Sequence, residues 1–493
     1  MQPPSTLFGF CVHFCRSSWK YLLAMSVLSA LIAIVEVSLF GFMGNIVDWL
    51  AVTDQDTLFS EKSGTLIWMG LVLLVIFPSL AVLQTVLVHQ TLLGNLPMVI
   101  RWQAHRYVLK QSQTFFNNEF AGRIGTKVMQ TSLAVRETVM KLLDILVYIA
   151  VYFLSVLVLM AGTDLRLMLP FLVWLVFYLA VLFYFVPRLS EISTRQADAR
   201  ALMTGRVIDS YTNIATVKLF SHAGREADYA KAGMDGFLAT VYKQMRLSSG
   251  FQICVDISGM VLMAVTLLVG LLLWKDNAVG AGAVAVALAV ILRLHGLSHW
   301  IMWEVSALFE NIGIVRDGIN TLATERDVVD QPDATELTVD SGRVDFRHVS
   351  FDYVDELPVI KDMTLQIAAG EKVGIVGRSG AGKTTLVNLL LRLYDLNRGS
   401  ITIDDQNIAS VTQESLRANI SVVTQDTSLL HRSVFDNIAY GRRNATDEEV
   451  RFAARRANAE GFIHDLVDIN GYRAFEAMAV SYTHLTLPTI LLV

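Results

Sequence analysis

Charge is scarce in this chain. Of its 493 residues, 17% are Asp, Glu, Lys or Arg and 53% are hydrophobic, and the mean hydropathy is +0.48. Soluble domains carry roughly a quarter of their residues as charges, so a soluble protein of this size is excluded. The formal net charge is only −5. That gives no electrostatic basis for holding a polyanion, and no nucleic-acid partner is expected. Cysteine is scarce as well. Cys11, Cys15 and Cys254 form neither a disulfide framework nor a metal-ligand spacing, and Cys11 and Cys15 are read as two small apolar residues on one helix face. A cleavable leader is not expected, because Arg16 and Lys20 precede an apolar run long enough to stay in a bilayer. The length predicts two or three domains.

What fills the first three-fifths is apolar sequence. Six stretches, near 21–43, 66–88, 142–162, 167–187, 251–274 and 279–301, each have about the length needed to cross roughly 30 Å of hydrocarbon. The lipid bilayer is therefore the first partner. Spans one and two, three and four, and five and six have short connectors; long polar segments separate two from three and four from five. Those long segments hold most of the basic residues, including Arg101, Arg106, Lys110, Arg123, Lys127 and Arg136, then Arg188 to Arg246. The short connectors carry only Lys62, Arg166 and Lys275, beside Asp48, Asp54, Asp56 and Asp164. The positive-inside rule puts both termini and the long segments in the cytoplasm. The long segments keep a helical period and read as continuations of the spans. Polar turns near 114–122 and 209–213 are expected to hold short helices.

Within the spans, Glu36 is costly enough to suggest either a substrate or ion role or a partnered structural acid. Asp144 and Asp256 are read as interfacial, near span ends. His295 is read as a helix-interior or boundary residue rather than a ligand. Pro78 and Pro170 are expected to kink their helices.

The composition turns charged and polar from Glu304 to Asp340, and Gln331-Pro332 marks a boundary. Residues 342–353 alternate as a strand, followed by strands at 363–367, 371–376, 400–404 and 420–424. Thr446 with Glu449 predicts a capped helix from Asp447 to Asn458. Between them lies Gly377-Arg378-Ser379-Gly380-Ala381-Gly382-Lys383-Thr384-Thr385, which fits G-x-x-x-x-G-K-[ST]. Glycines there let successive N–H groups turn inward, and a helix over 386–393 would add its positive end. Lys383 would reach the outer phosphates of a nucleoside triphosphate and the Thr384 hydroxyl would bind Mg²⁺.

Six spans with long extensions, joined to this phosphate loop, resemble an ABC exporter half-transporter of the bacterial multidrug and lipid type. The resemblance runs from about Phe10 to Met478. Its markers are Phe351-Asp352-Tyr353, the phosphate loop, the run from Val423 to Leu430, Asp436-Asn437-Ile438-Ala439-Tyr440-Gly441, and Phe115-Phe116 with Gly122-Arg123-Ile124. It implies an α-helical polytopic membrane domain plus an incomplete α/β P-loop nucleotide-binding domain. The boundaries are 1–310 for the transmembrane domain, 311–340 for a linker, 341–478 for a partial ATP-binding cassette domain and 479–493 for a non-native tail. The cofactors implied are ATP and Mg²⁺. Lys383 and Gln425 would be catalytic; Tyr353 and Gly377 to Thr385 would hold the nucleotide, Tyr353 by stacking on adenine. Thr384 and Gln425 would meet the metal. The partners implied are a second half-transporter, identical or not, and a hydrophobic or amphipathic small molecule. After Gln425 the family pattern continues with a serine-glycine-glycine-glutamine signature, an acidic motif bearing the catalytic glutamate, and a switch histidine. None is found here, and His484 is not read as that histidine. The chain is thus expected to bind ATP without turning it over. A nucleotide-gated channel and an inert, dominant-negative partner are the two rival readings.

Overall fold

A computed structural model describes residues 2–52, 58–119, 121–220, 222–353, 357–424, 429–442, 444–468 and 470–479. It divides into two units: one runs from the N-terminus to Val329 and includes Leu393–Asp395, and the other takes the remainder from Asp330 onward.

Among the described residues of the first unit, six helices are long and apolar enough to cross a membrane. They are α1 (Leu7–Ala51), α2 (Ser63–Val108), α3 (Gly122–Thr163), α4 (Leu165–Thr212), α5 (Ala223–Lys275) and α6 (Ala281–Leu322). Their 42 to 53 residues are about twice what the hydrocarbon requires, so each continues well past it. The sixth begins at Ala281 rather than 279. A short helix, Gln113–Asn118, capped by the Ser112 hydroxyl, occupies the first polar stretch; in the second, α4 runs on to Thr212 and a short helix follows at Ile214–Leu219. A π turn over Val72–Ile76 directly precedes Phe77-Pro78, loosening the ladder where proline lacks its N–H.

Aromatic packing organises the core of this unit. Trp174 and Tyr178 on α4 stack at 5.1 Å, and Phe153 of α3 lies beside both. Tyr178 donates to the Ser298 carbonyl of α6. Two acids of the spans are partnered between helices. Asp144 accepts from Ser29 of α1 and, at 2.7 Å, from Gln84 of α2. Glu36 accepts from Tyr148 of α3 at 2.6 Å and pairs with Arg293 of α6 at 2.7 Å. Of the two readings of Glu36, the partnered acid is the one observed. Low dielectric explains why: a carboxylate there is tolerated when donors surround it.

The second unit is built on an antiparallel sheet in the order β2-β1-β3-β4, with β1 Val344–Asp352, β2 Pro358–Ile367, β3 Arg398–Ile403 and β4 Gln406–Asn407. Phe346, Val349 and Phe351 of β1, with Ile401 and Ile403 of β3, bury one face. The loop helix is α7, Lys383–Leu390, starting and ending three residues earlier than the leucine run suggested. Then come α8 (Gln413–Ala418), α9 (Val434–Ala439) and α10 (Asp447–Arg456). The capping box expected for α10 is present: Glu449 N–H donates to Thr446, and the Glu449 carboxylate accepts from Thr446 N–H.

Two expected strands are absent. Residues 371–376 and 420–424 form no strand and have no ladder partners among the described residues, and Val376 and Val423 are 97% and 100% exposed. Such apolar runs read as central strands, but a strand exists only where neighbours accept its backbone hydrogen bonds. The described sheet offers none to either segment.

Candidate nucleotide-binding site

After β2 the chain passes through 371–376 into the phosphate loop, which turns into α7. Two residues of the turn, Gly380 and Gly382, adopt φ of +82° and +88°, a region that costs a side chain about 1–2 kcal/mol. A Cβ on Gly377 would sit 3.2 Å from the Ala381 methyl, so the loop closes on itself there. Gly382 is the residue that caps α7, and Lys383 opens the helix. The first-turn amides of α7 therefore face the concavity that the loop leaves, and the helix dipole adds to their positive field.

Lys383 is drawn across the same concavity. Its ammonium donates to the carbonyl oxygens of Gly377 and Arg378, both at 2.9 Å. Neutral carbonyls are weaker partners for an ammonium than phosphate oxygens, so a polyphosphate arriving here competes for this cation. Thr384 is exposed at the helix start and Thr385 is buried beneath it. The other end of α7 is fixed by Arg417 of α8, which donates to the carbonyls of Leu391 and Arg392 at 3.0 and 2.9 Å. Burial lowers the pKa of that guanidinium.

Tyr353 reaches the same helix from the end of β1. Its hydroxyl lies 3.2 Å from Thr385 Oγ1, and its ring is half-exposed, edge-on to Phe351 at 4.8 Å. Sequence reading missed the residue that holds this strand end. Asn397 accepts from Asp352 N–H and donates to the Asp352 carboxylate at 2.6 Å. The turn composition Asn397-Arg398-Gly399 was the available signal, and Gly399 is needed because a Cβ there would overlap the His348 carbonyl. The structure thus brings Tyr353, Lys383, Thr385 and the loop together. Gln425 lies outside the described residues.

This donor set fits a nucleotide phosphate chain: a cradle closed by glycines, a helix N-terminus and a lysine aimed across it. Residues 21–294 match the ABC transporter transmembrane region family, and 360–474 match the ABC transporter family. The chain belongs to the ABC transporter family. Its curated relatives include an uncharacterized ABC transporter ATP-binding protein of Haemophilus influenzae. The two are 49% identical, over 93% of this chain and 74% of that protein. A Staphylococcus aureus protein with the provisional name multidrug export ATP-binding/permease protein is 29% identical, over 74% of this chain and 64% of its own length. Among solved structures, a bacterial Atm1-family ABC exporter with ATP bound has a TM-score of 0.76 at 22% identity, covering 94% of this chain and 80% of its own. That likeness establishes the exporter fold. One membrane region and one ATP-binding region on a single chain make this ABC transporter a half-transporter, a multi-pass membrane protein of an ATP-driven family that generally works as dimers.

Proposed function

We propose that the chain is one half of a dimeric exporter, placed in the inner membrane with both termini cytoplasmic, which moves a hydrophobic or amphipathic small molecule. The observation that carries the nucleotide half of this reading is the Lys383 ammonium stretched over the glycine cradle at the start of α7. In this reading the amides of 377–384 and Lys383 would hold the phosphates, Thr384 and Gln425 would hold Mg²⁺, and Tyr353 would stack on the adenine. Mg·ATP, when bound, supplies the phosphoryl-transfer free energy. The protein's part is positioning and charge neutralisation.

Cargo class is supported by a cleft of about 980 Å³ in the membrane unit. Trp174, Phe177, Val261 and Val265 are among its mostly apolar lining, which also includes Ser258 and the charged Arg166 and Asp276. A drug-sized apolar molecule suits such a surface.

Because the sequence holds no serine-glycine-glycine-glutamine signature and no acidic motif after Gln425, the 493-residue chain alone is read as binding ATP without hydrolysing it. Purified chain in nanodiscs should retain labelled ATP with Mg²⁺, lose it by at least about tenfold in Lys383→Ala, and release no phosphate. Retention unchanged in Lys383→Ala would reject the site assignment. Vanadate-sensitive hydrolysis would reject the inactivity. Ion currents without turnover would favour a nucleotide-gated channel.

A further inference from the structure

Two histidines and an aspartate meet inside the membrane-spanning unit, which does not contain the nucleotide loop. His295 and His299 stand one turn apart on α6, and Asp256 faces them from α5. The Nε2 atoms of both rings point at one carboxylate oxygen, Asp256 Oδ1, at 3.6 and 3.0 Å. All three ligand-type atoms lie within 4.8 Å of one another. The rings stand almost perpendicular, with centroids 5.0 Å apart. Room for His295 comes from α5 itself: a Cβ on Gly259 would lie 3.0 Å from His295 Nδ1.

Ionisable groups in a bilayer-spanning bundle are expensive, and three together demand a purpose. A tetrahedral zinc with bonds of about 2.0–2.1 Å holds its ligands roughly 3.3–3.4 Å apart. The two spacings to Asp256, 3.6 and 3.0 Å, fall on either side of that value, and the two histidine nitrogens lie within 4.8 Å of each other. Histidines four residues apart on one helix are a spacing that places both rings on one ion. Nitrogen-rich ligation selects a transition metal over Mg²⁺ or Ca²⁺, which take oxygen.

We propose that Asp256, His295 and His299 form a binding site for a first-row transition-metal ion of the Zn²⁺ class, with its fourth position open to water. The ligands come from two helices, so a bound ion stabilises the arrangement in which α5 and α6 hold them together. The site is independent of the nucleotide loop and stands or falls without it.

The test uses the full chain, purified without a histidine tag, stripped with chelator and reconstituted in nanodiscs. Zn²⁺ titrated calorimetrically should bind at about one ion per chain. Co²⁺ in its place should give the intense visible absorption of four-coordinate ligation. His295→Gln, His299→Gln and Asp256→Asn, chosen to keep side-chain volume, should each weaken Zn²⁺ at least about tenfold, the lower end of what loss of even an outer-shell partner costs. Zn²⁺ should raise the melting temperature of the parent chain and not of these variants, while His222→Ala behaves as the parent. Size-exclusion profiles and helical circular dichroism identify any variant that fails to fold. Zn²⁺ affinity unchanged across the three folded variants, weak octahedral Co²⁺ absorption, or equal binding of Mg²⁺ would each overturn the proposal and leave the cluster as a hydrogen-bonded triad.

Discussion

Gly282, one residue into α6, shows how closely the membrane helices approach. Its N–H donates to Asp48 Oδ1 of α1 at 2.7 Å, so a carboxylate from one helix satisfies the free amide end of another. A Cβ here would overlap the Gly44 carbonyl oxygen and lie 2.8 Å from the Asp48 carboxyl carbon. Backbone cannot yield as a side-chain tip can. Gly282→Ala is therefore expected to destabilise the bundle by about 1–3 kcal/mol or more, the cost of overpacking. Gly296→Ala, where nothing lies within 4 Å, should be neutral or slightly stabilising. Thermal unfolding in detergent separates the two, and equal melting temperatures would refute the close approach. Neither glycine could be sorted from sequence, since both sit in apolar helical text. The contact that distinguishes them is made by α1, more than 230 positions away. The partners of Glu36 were hidden for the same reason, because hydropathy measures the cost of a buried acid and not which tyrosine or arginine offsets it.

At the level of elements, local chemistry was legible and neighbour-dependent structure was not. Thr446 and Glu449 cap α10 because both halves of the device lie within four residues. The alternation of 344–352 became β1 because β2 and β3 flank it. The equally apolar runs 371–376 and 420–424 did not become strands, for want of partners. One element is set by a single carboxylate. Asp404, after β3, accepts from the Ser341 hydroxyl and from the amides of Asp340, Ser341, Gly342 and Arg343 within 2.9 Å. The Ser341 hydroxyl first, then the Gly342 and Ser341 amides, hold its pKa far below the usual carboxylate range. A depressed folded pKa means stability that is complete above the ordinary value near 4 and is lost as pH falls below it. Asp404→Asn should thus lower the melting temperature of the nucleotide unit at neutral pH, with the gap to the parent closing as the solution is acidified. A gap independent of pH would show that the clamp acts through shape and not charge.

Across the whole molecule, the fold class and the phosphate loop were visible in the text, because spans declare themselves by length and a glycine cradle by its spacing. Orientation in the membrane rests on a different physical quantity, the asymmetry of positive charge. Arg101 and Arg106 near the end of α2, Arg123 and Lys127 near the start of α3, and Arg195, Arg200 and Arg206 along the distal part of α4 lie toward one set of helix ends. The opposite ends, at the α3–α4 and α5–α6 connectors, have only Arg166 and Lys275, and Arg166 is already paired with Asp164 at 3.0 Å. Moving the first set across the bilayer means desolvating many cations against a membrane potential worth about 2.3 kcal/mol per charge per 100 mV, which supports the proposed orientation with those ends in the cytoplasm. In a background lacking Cys11, Cys15 and Cys254, a cysteine at Gly224 should react with an impermeant maleimide only in inside-out vesicles. One at Gly64 should react only from outside intact spheroplasts. Both positions are open, with nothing within 4 Å, so poor labelling cannot be blamed on packing. Reversed labelling would place the ATP-binding unit on the side of the membrane where no ATP is supplied, and export driven by this chain would have to be abandoned.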